Sequence, residues 1–76
     1  MIELETDTKF YHISIIEDLL GDLLVVCDYG SKLTKFVRRK NIHVASMSEA
    51  TAVIDRIAKV RGRHGYVKVH LNFKDY

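Results

Sequence analysis

The chain has no proline, one cysteine and only four glycines in 76 residues. With Cys27 as the single thiol no internal disulfide can form. Its apolar neighbours Leu24, Val25 and Val26 predict a buried, inert strand position for it. No apolar run reaches membrane-spanning length and no signal peptide is visible, so the expectation is a cytoplasmic protein with no membrane partner. Low-complexity tracts and internal repeats are also lacking, and a hydrophobic fraction of 47% argues for a folded globule over a disordered chain.

Catalytic and metal-binding patterns are equally scarce. His12, His43, His64, His70 and Cys27 fall at none of the paired spacings that hold a metal, so no metal and no cofactor is expected. The histidines on predicted strands, His12, His43 and His70, read as outward polar residues, and His64 as part of a basic turn. Glu17 and Asp18 adjoin a turn signal, where solvated loop charge is the usual meaning, and no glycine-rich phosphate loop exists. The expectation is a non-enzymatic protein.

What is present is one helix, strand-like segments and a lopsided charge. Ala50, Val53, Ile54, Ile57 and Ala58 recur at helical spacing and form one apolar stripe. Ser46 and Glu49 fit a capping box, with the Glu49 carboxylate reaching back to the Ser46 amide. Gly62 and Gly65 mark the far end, giving a helix from about Met47 to Arg61. Before it, residues 1–8 alternate weakly and suit either a strand or an arm. Lys9 to Ile16 places Tyr11, Ile13 and Ile15 on one face against Phe10, His12 and Ser14. Gly21 and Asp22 turn the chain into Leu23 to Tyr29, apolar on both faces, which predicts a hairpin leading into a central strand. Gly30 is expected to supply a positive-φ turn into a strand over Leu33 to Lys40, bulged where Phe36 and Val37 are adjacent and continuing extended through Ala45. Tyr66 to Lys74 alternates most sharply, with Val67, Val69, Leu71 and Phe73 inward.

The fold class is therefore α+β: a small, mainly antiparallel sheet of about five strands with one helix on one face, ordered β-β-β-β-α-β in a single domain over residues 1–76.

Through Asp28 there are seven acids and one base, a sum of −6. From Tyr29 to Lys74 there are eleven bases and two acids, a sum of +9. Lys32, Lys35, Arg38, Arg39 and Lys40 precede the helix, and Lys59, Arg61, Arg63 and Lys68 surround its end. Arg38 and Lys40 share a strand face from which Arg39 points away. Tyr29 and Tyr66 flank the two groups. Arg38, Arg39, Lys59, Arg61 and Arg63 with Tyr29 and Tyr66 are the candidate nucleic-acid contacts, suited to phosphate binding with sequence-tolerant stacking. The same cations also suit solvated helix-capping charges and protected sheet edges. The apolar run Leu23 to Val26 offers more surface than one helix covers. A protein–protein or homodimer interface is the alternative.

One family carries these features in this order. Lys9-Phe10-Tyr11-His12-Ile13, Gly21, Asp28-Tyr29-Gly30-Ser31, Glu49-Ala50 and Gly65-Tyr66 together resemble the WGR domain over roughly residues 9 to 66. This small module occurs in DNA-damage-sensing poly(ADP-ribose) polymerases and as free-standing bacterial proteins. The resemblance implies a WGR-like α+β module that holds DNA ends or single-strand regions through basic and aromatic residues. Of the naming Trp-Gly-Arg only Gly30 is unchanged. Tyr29 stands for the tryptophan and keeps an aromatic face. Ser31 stands for the arginine and supplies no guanidinium.

Overall fold

The computed structural model describes residues 2–69. Five strands, β1 (Ile2–Glu5), β2 (Lys9–Glu17), β3 (Leu23–Ser31), β4 (Val37–Val44) and β5 (Val67–Lys68), form one antiparallel sheet. Their order in space is β4-β3-β2-β1-β5, and the helix α1 (Met47–Arg63) packs on one face. This is the expected α+β class. The N-terminal segment proves to be a strand, with Ile2 opposite Ile13 and Leu4 opposite Tyr11.

Pairing residues in register share a face, so the ladder sorts every strand side chain. Ile2, Leu4, Tyr11, Ile13, Ile15, Val25, Cys27, Tyr29, Ile42 and Val44 meet the helix, where Ala50 and Ile54 are buried and Val53, Ile57 and Ala58 partly so. Ile13, Val25 and Cys27 are almost fully enclosed, and the thiol is free. The opposite face bears Phe10, His12, Ile16, Leu24, Val26, Val37, Arg39 and His43, and no described element lies across it.

Both helix ends are closed by specific bonds. The Ser46 hydroxyl accepts from the Glu49 amide at 3.2 Å. The Glu49 carboxylate reaches one residue further back than expected, accepting from the Ala45 amide at 2.6 Å. At the other end the helix runs on through Gly62, and Gly65 alone takes the left-handed conformation there, with φ of 88°. The Gly65 amide donates to the Gly62 carbonyl and the Tyr66 amide to the Arg61 carbonyl, each at 3.1 Å. These two bonds make a Schellman turn and set Tyr66 back against Arg61.

That turn corrects the expectation for the last strand. Tyr66 belongs to the helix-side cluster, so alternation sends Val67 to the other face, where it pairs with Glu5 and is 65% exposed. Val69, one alternation on, donates its amide to the Glu3 carbonyl at 2.8 Å. The rest of the predicted strand, with Leu71 and Phe73, lies outside the described residues.

Gly30 is the second correction. It has no positive φ and sits inside β3, which continues to Ser31. The requirement is space: a Cβ there would collide with the Phe36 carbonyl and meet the Phe10 ring at 3.3 Å. β4 begins only at Val37, so Phe36 belongs to the preceding loop and no bulge is needed to separate the two apolar residues. No described helix is long and apolar enough to cross a membrane.

Candidate nucleic-acid interface

The helix starts beside the Leu23–Val44 end of the sheet and runs back to the end where Lys9 pairs with Ser31 and Tyr29 with Arg38. Its last turn and the Schellman turn therefore deliver Arg61 and Tyr66 to the same place as Tyr29 and Arg38. The loop of residues 32–36 closes the assembly from outside. The Ser31 hydroxyl shapes that loop, accepting from the Leu33 amide at 3.1 Å.

The result is a cleft of about 300 Å³ whose walls include Lys9, Tyr29, Phe36, Arg38, Arg61 and Tyr66. Tyr29 stacks on Tyr11 with ring centroids 5.2 Å apart and 14° between planes. Tyr66 meets the same ring edge-on at 6.3 Å and 84°. The Arg61 guanidinium lies over both Tyr11 and Tyr66, at 5.2 and 5.6 Å from their centroids, and Arg38 lies over Phe36 at 5.1 Å. Such cation–π contacts orient a guanidinium while leaving its N–H groups free to donate. A second hollow of about 210 Å³ shares Arg61 and Tyr11 and adds Lys40 and Arg56. Among the described residues lining the two hollows there is no carboxylate. Five cations thus line the two hollows, which share Arg61.

The phenol of Tyr11 is pushed up to about 12, first by burial and then by its hydrogen bond with the Cys27 thiol, while Arg61 acts in the opposite sense. It is a neutral anchor for the cluster at any physiological pH. A further hollow of about 420 Å³ lies around Glu5, Asp7, Lys32 and Val67. There the Lys32 ammonium is taken by the Glu5 carboxylate at 2.6 Å, and the surplus of acids makes the hollow unsuited to an anion.

Of the residues singled out from sequence, Tyr29, Arg38, Arg61 and Tyr66 come together in the cleft. Arg39 does not. It faces away from the helix and forms a two-pronged ion pair with Asp28, Nε to Oδ1 at 2.7 Å and Nη2 to Oδ2 at 2.9 Å. Lys59 and Arg63 are exposed on the back of the helix, roughly 140° and 180° around from Ile54 at 3.6 residues per turn. Lys9, Phe36 and Tyr11 were missed, as were Lys40 and Arg56 in the second hollow. Lys9 was findable, since it lies two residues before Tyr11 and so shares its face. Phe36 and Arg56 gave no signal, because a loop and a helix flank acquire neighbours only through tertiary packing.

Fold and site together define a small α+β domain with a basic, aromatic cleft at one end of its sheet. Comparison of the chain with family models, with curated proteins and with solved structures finds no match.

Proposed function

We propose that the chain is a non-enzymatic, WGR-like module that binds DNA without sequence preference, taking an end or an unpaired stretch at the cleft. The observation that carries this reading is the convergence of Tyr29, Tyr66 and Phe36 with Lys9, Arg38 and Arg61 in walls that, among the described residues, hold no carboxylate. Phosphates release counterions wherever they meet such cations, and a base has an aromatic face to stack on whatever its identity. The Tyr11–Tyr29 stack prepays the ordering of that platform. Ser31 spends its hydroxyl on the loop, so Arg38 and Arg61 take the guanidinium role that the naming arginine has in the family.

The test is a fluorescence-anisotropy titration with single-stranded, nicked and blunt-ended DNA at low and moderate salt. Three to five phosphate contacts give a log-log salt slope of about −2 to −4. Arg38→Gln reduces that slope by nearly one, whereas Arg39→Gln, already held by Asp28, leaves it in place. Tyr29→Ala weakens binding by about 1 to 3 kcal/mol with little change in slope. Failure of all three DNAs to bind at low salt sinks the reading.

A further inference from the structure

The end of the sheet opposite the cleft carries a feature that DNA binding leaves unused. Between β2 and β3 the chain turns through Asp18-Leu19-Leu20-Gly21-Asp22, and the turn is tightly built. The Asp18 carboxylate accepts from the amides of Leu20 and Asp22, each at 2.9 Å. The Asp18 amide donates to the Asp22 carbonyl at 2.9 Å, and Gly21 completes the turn with φ of 85°. This framework holds two adjacent leucines out in water: Leu19 is 104% exposed and Leu20 87%. Single exposed leucines are ordinary, but a pair fixed at the tip of a rigid hairpin and flanked by Glu17, Asp18 and Asp22 is an apolar knob with an acidic collar.

The same molecule carries the matching socket. In the cleft wall Phe36 is 60% exposed beside Lys9, Arg38 and Arg61, and Leu33, in the loop of residues 32–36 that Phe36 ends, is 78% exposed. Knob and socket agree in apolar character and are opposite in charge. They are separated by the length of β3, nine residues or about 30 Å at 3.3 Å per residue, so no molecule can fill its own cleft.

We infer that the hairpin tip of one molecule docks in the cleft of a second copy, seating Leu19 and Leu20 against Phe36 and Leu33 with Glu17 and Asp22 beside Arg38 and Arg61. The contact is head-to-tail, so each docked molecule still offers a free knob at one end and a free cleft at the other. Copies therefore add into open chains that lengthen with concentration and shorten as salt screens the charges. The inference shares with the DNA reading the premise that the cleft is a binding site, and makes DNA a competitor for it.

Two variants separate the ends: Leu19→Ser with Leu20→Ser, which disables the knob, and Arg38→Glu, which disables the socket. All three side chains are exposed, and circular dichroism checks that both variants fold. In sedimentation velocity at low salt the parent should gain mass with concentration beyond a dimer, while each variant alone stays monomeric. Mixed in equal amounts the two variants should form a dimer and stop there, since one supplies the cleft and the other the tip. A parent that is monomeric at every concentration overturns the inference. So does a mixture that stays monomeric, or a tip variant that associates like the parent. A short single-stranded DNA should break the parent's chains while binding the tip variant at least as tightly as it binds the parent. If no DNA binds but the mixed variants pair, the nucleic-acid reading falls and this one stands; if DNA binds and nothing associates, the reverse holds.

Discussion

Arg38 and Arg39 are neighbours in sequence and stand on opposite faces of β4. Arg38 lies on the covered face at the end the helix's last turn reaches, over Phe36, and no carboxylate among the described residues lines the cleft there. Arg39 enters the open face and is held by Asp28, its partner across the ladder. Segment sums of −6 and +9 therefore say little about what a ligand meets. On the open face Arg39 is spent on Asp28, while the covered face gathers cations at one end. Strand parity does the sorting, because side chains one residue apart cannot share a face.

The apolar residues divide in the same way, and this gives the largest expected effect. Ile54 is 9% exposed in the core, while Val37 on the open face is 57% exposed. Ile54→Ala should cost about 2 to 5 kcal/mol, a large share of the total for a domain this small. Val37→Ala should stay within about 0.5 kcal/mol. Urea denaturation of both variants checks the pair, and equal costs would mean that the open face is covered after all.

Two glycines sharpen the contrast between crowded and open backbone. Alanine at Gly30 drives a methyl group into the Phe36 carbonyl and the Phe10 ring, so about 1 to 3 kcal/mol of stability should be lost as the loop of residues 32–36 is displaced. Alanine at Gly62 has nothing within 4 Å and sits inside the helix without a positive φ, so there the same change should stabilise by up to about 1 kcal/mol. Thermal melts of the two variants should move in opposite directions. A Gly30→Ala variant as stable as the parent would show that the loop yields freely and does not fix the cleft wall.

The fold was legible wherever periodicity carried it. The stripe from Ala50 to Ala58 and the alternation Tyr11-Ile13-Ile15 describe faces, and the faces assemble as expected. What alternation alone cannot state is which face of a strand meets the helix. For Val67 that was decided by Tyr66, seated by bonds to the last helical turn, a tertiary fact with a local cause. Gly30 reads as a turn because glycine usually is one, whereas its need here comes from a loop six residues later crossing over it. In the site, Tyr29, Arg38, Arg61 and Tyr66 were legible as aromatic and basic residues flanking two predicted elements. Lys59 and Arg63 stand near Arg61 along the helix, but a rotation of about half a turn separates them from the cleft.

The smallest expected effect returns to the two arginines. Hydrogen bonds from Arg39 hold the Asp28 carboxyl below its ordinary value of 3.8, with His12 adding to the attraction and partial burial opposing it. A depressed carboxylate contributes stability that is fully present above the unfolded value and is lost as pH falls through the folded one. Arg39→Gln should therefore be slightly less stable than the parent at neutral pH. That gap should begin to shrink as pH falls below 3.8 and vanish only below the depressed folded value, where Asp28 is protonated in the parent as well as in the variant. The gap is small, since the Arg39 side chain is 63% exposed and Asp28 31%, and added salt should narrow it further. Arg38→Gln should give no such pH-dependent gap, because no carboxylate among the described residues joins Arg38 in the cleft wall. Urea midpoints for the three proteins at neutral and acid pH decide the matter. A gap for Arg39→Gln that persists unchanged in acid would place its cause in packing of the side-chain stem and not in the ion pair.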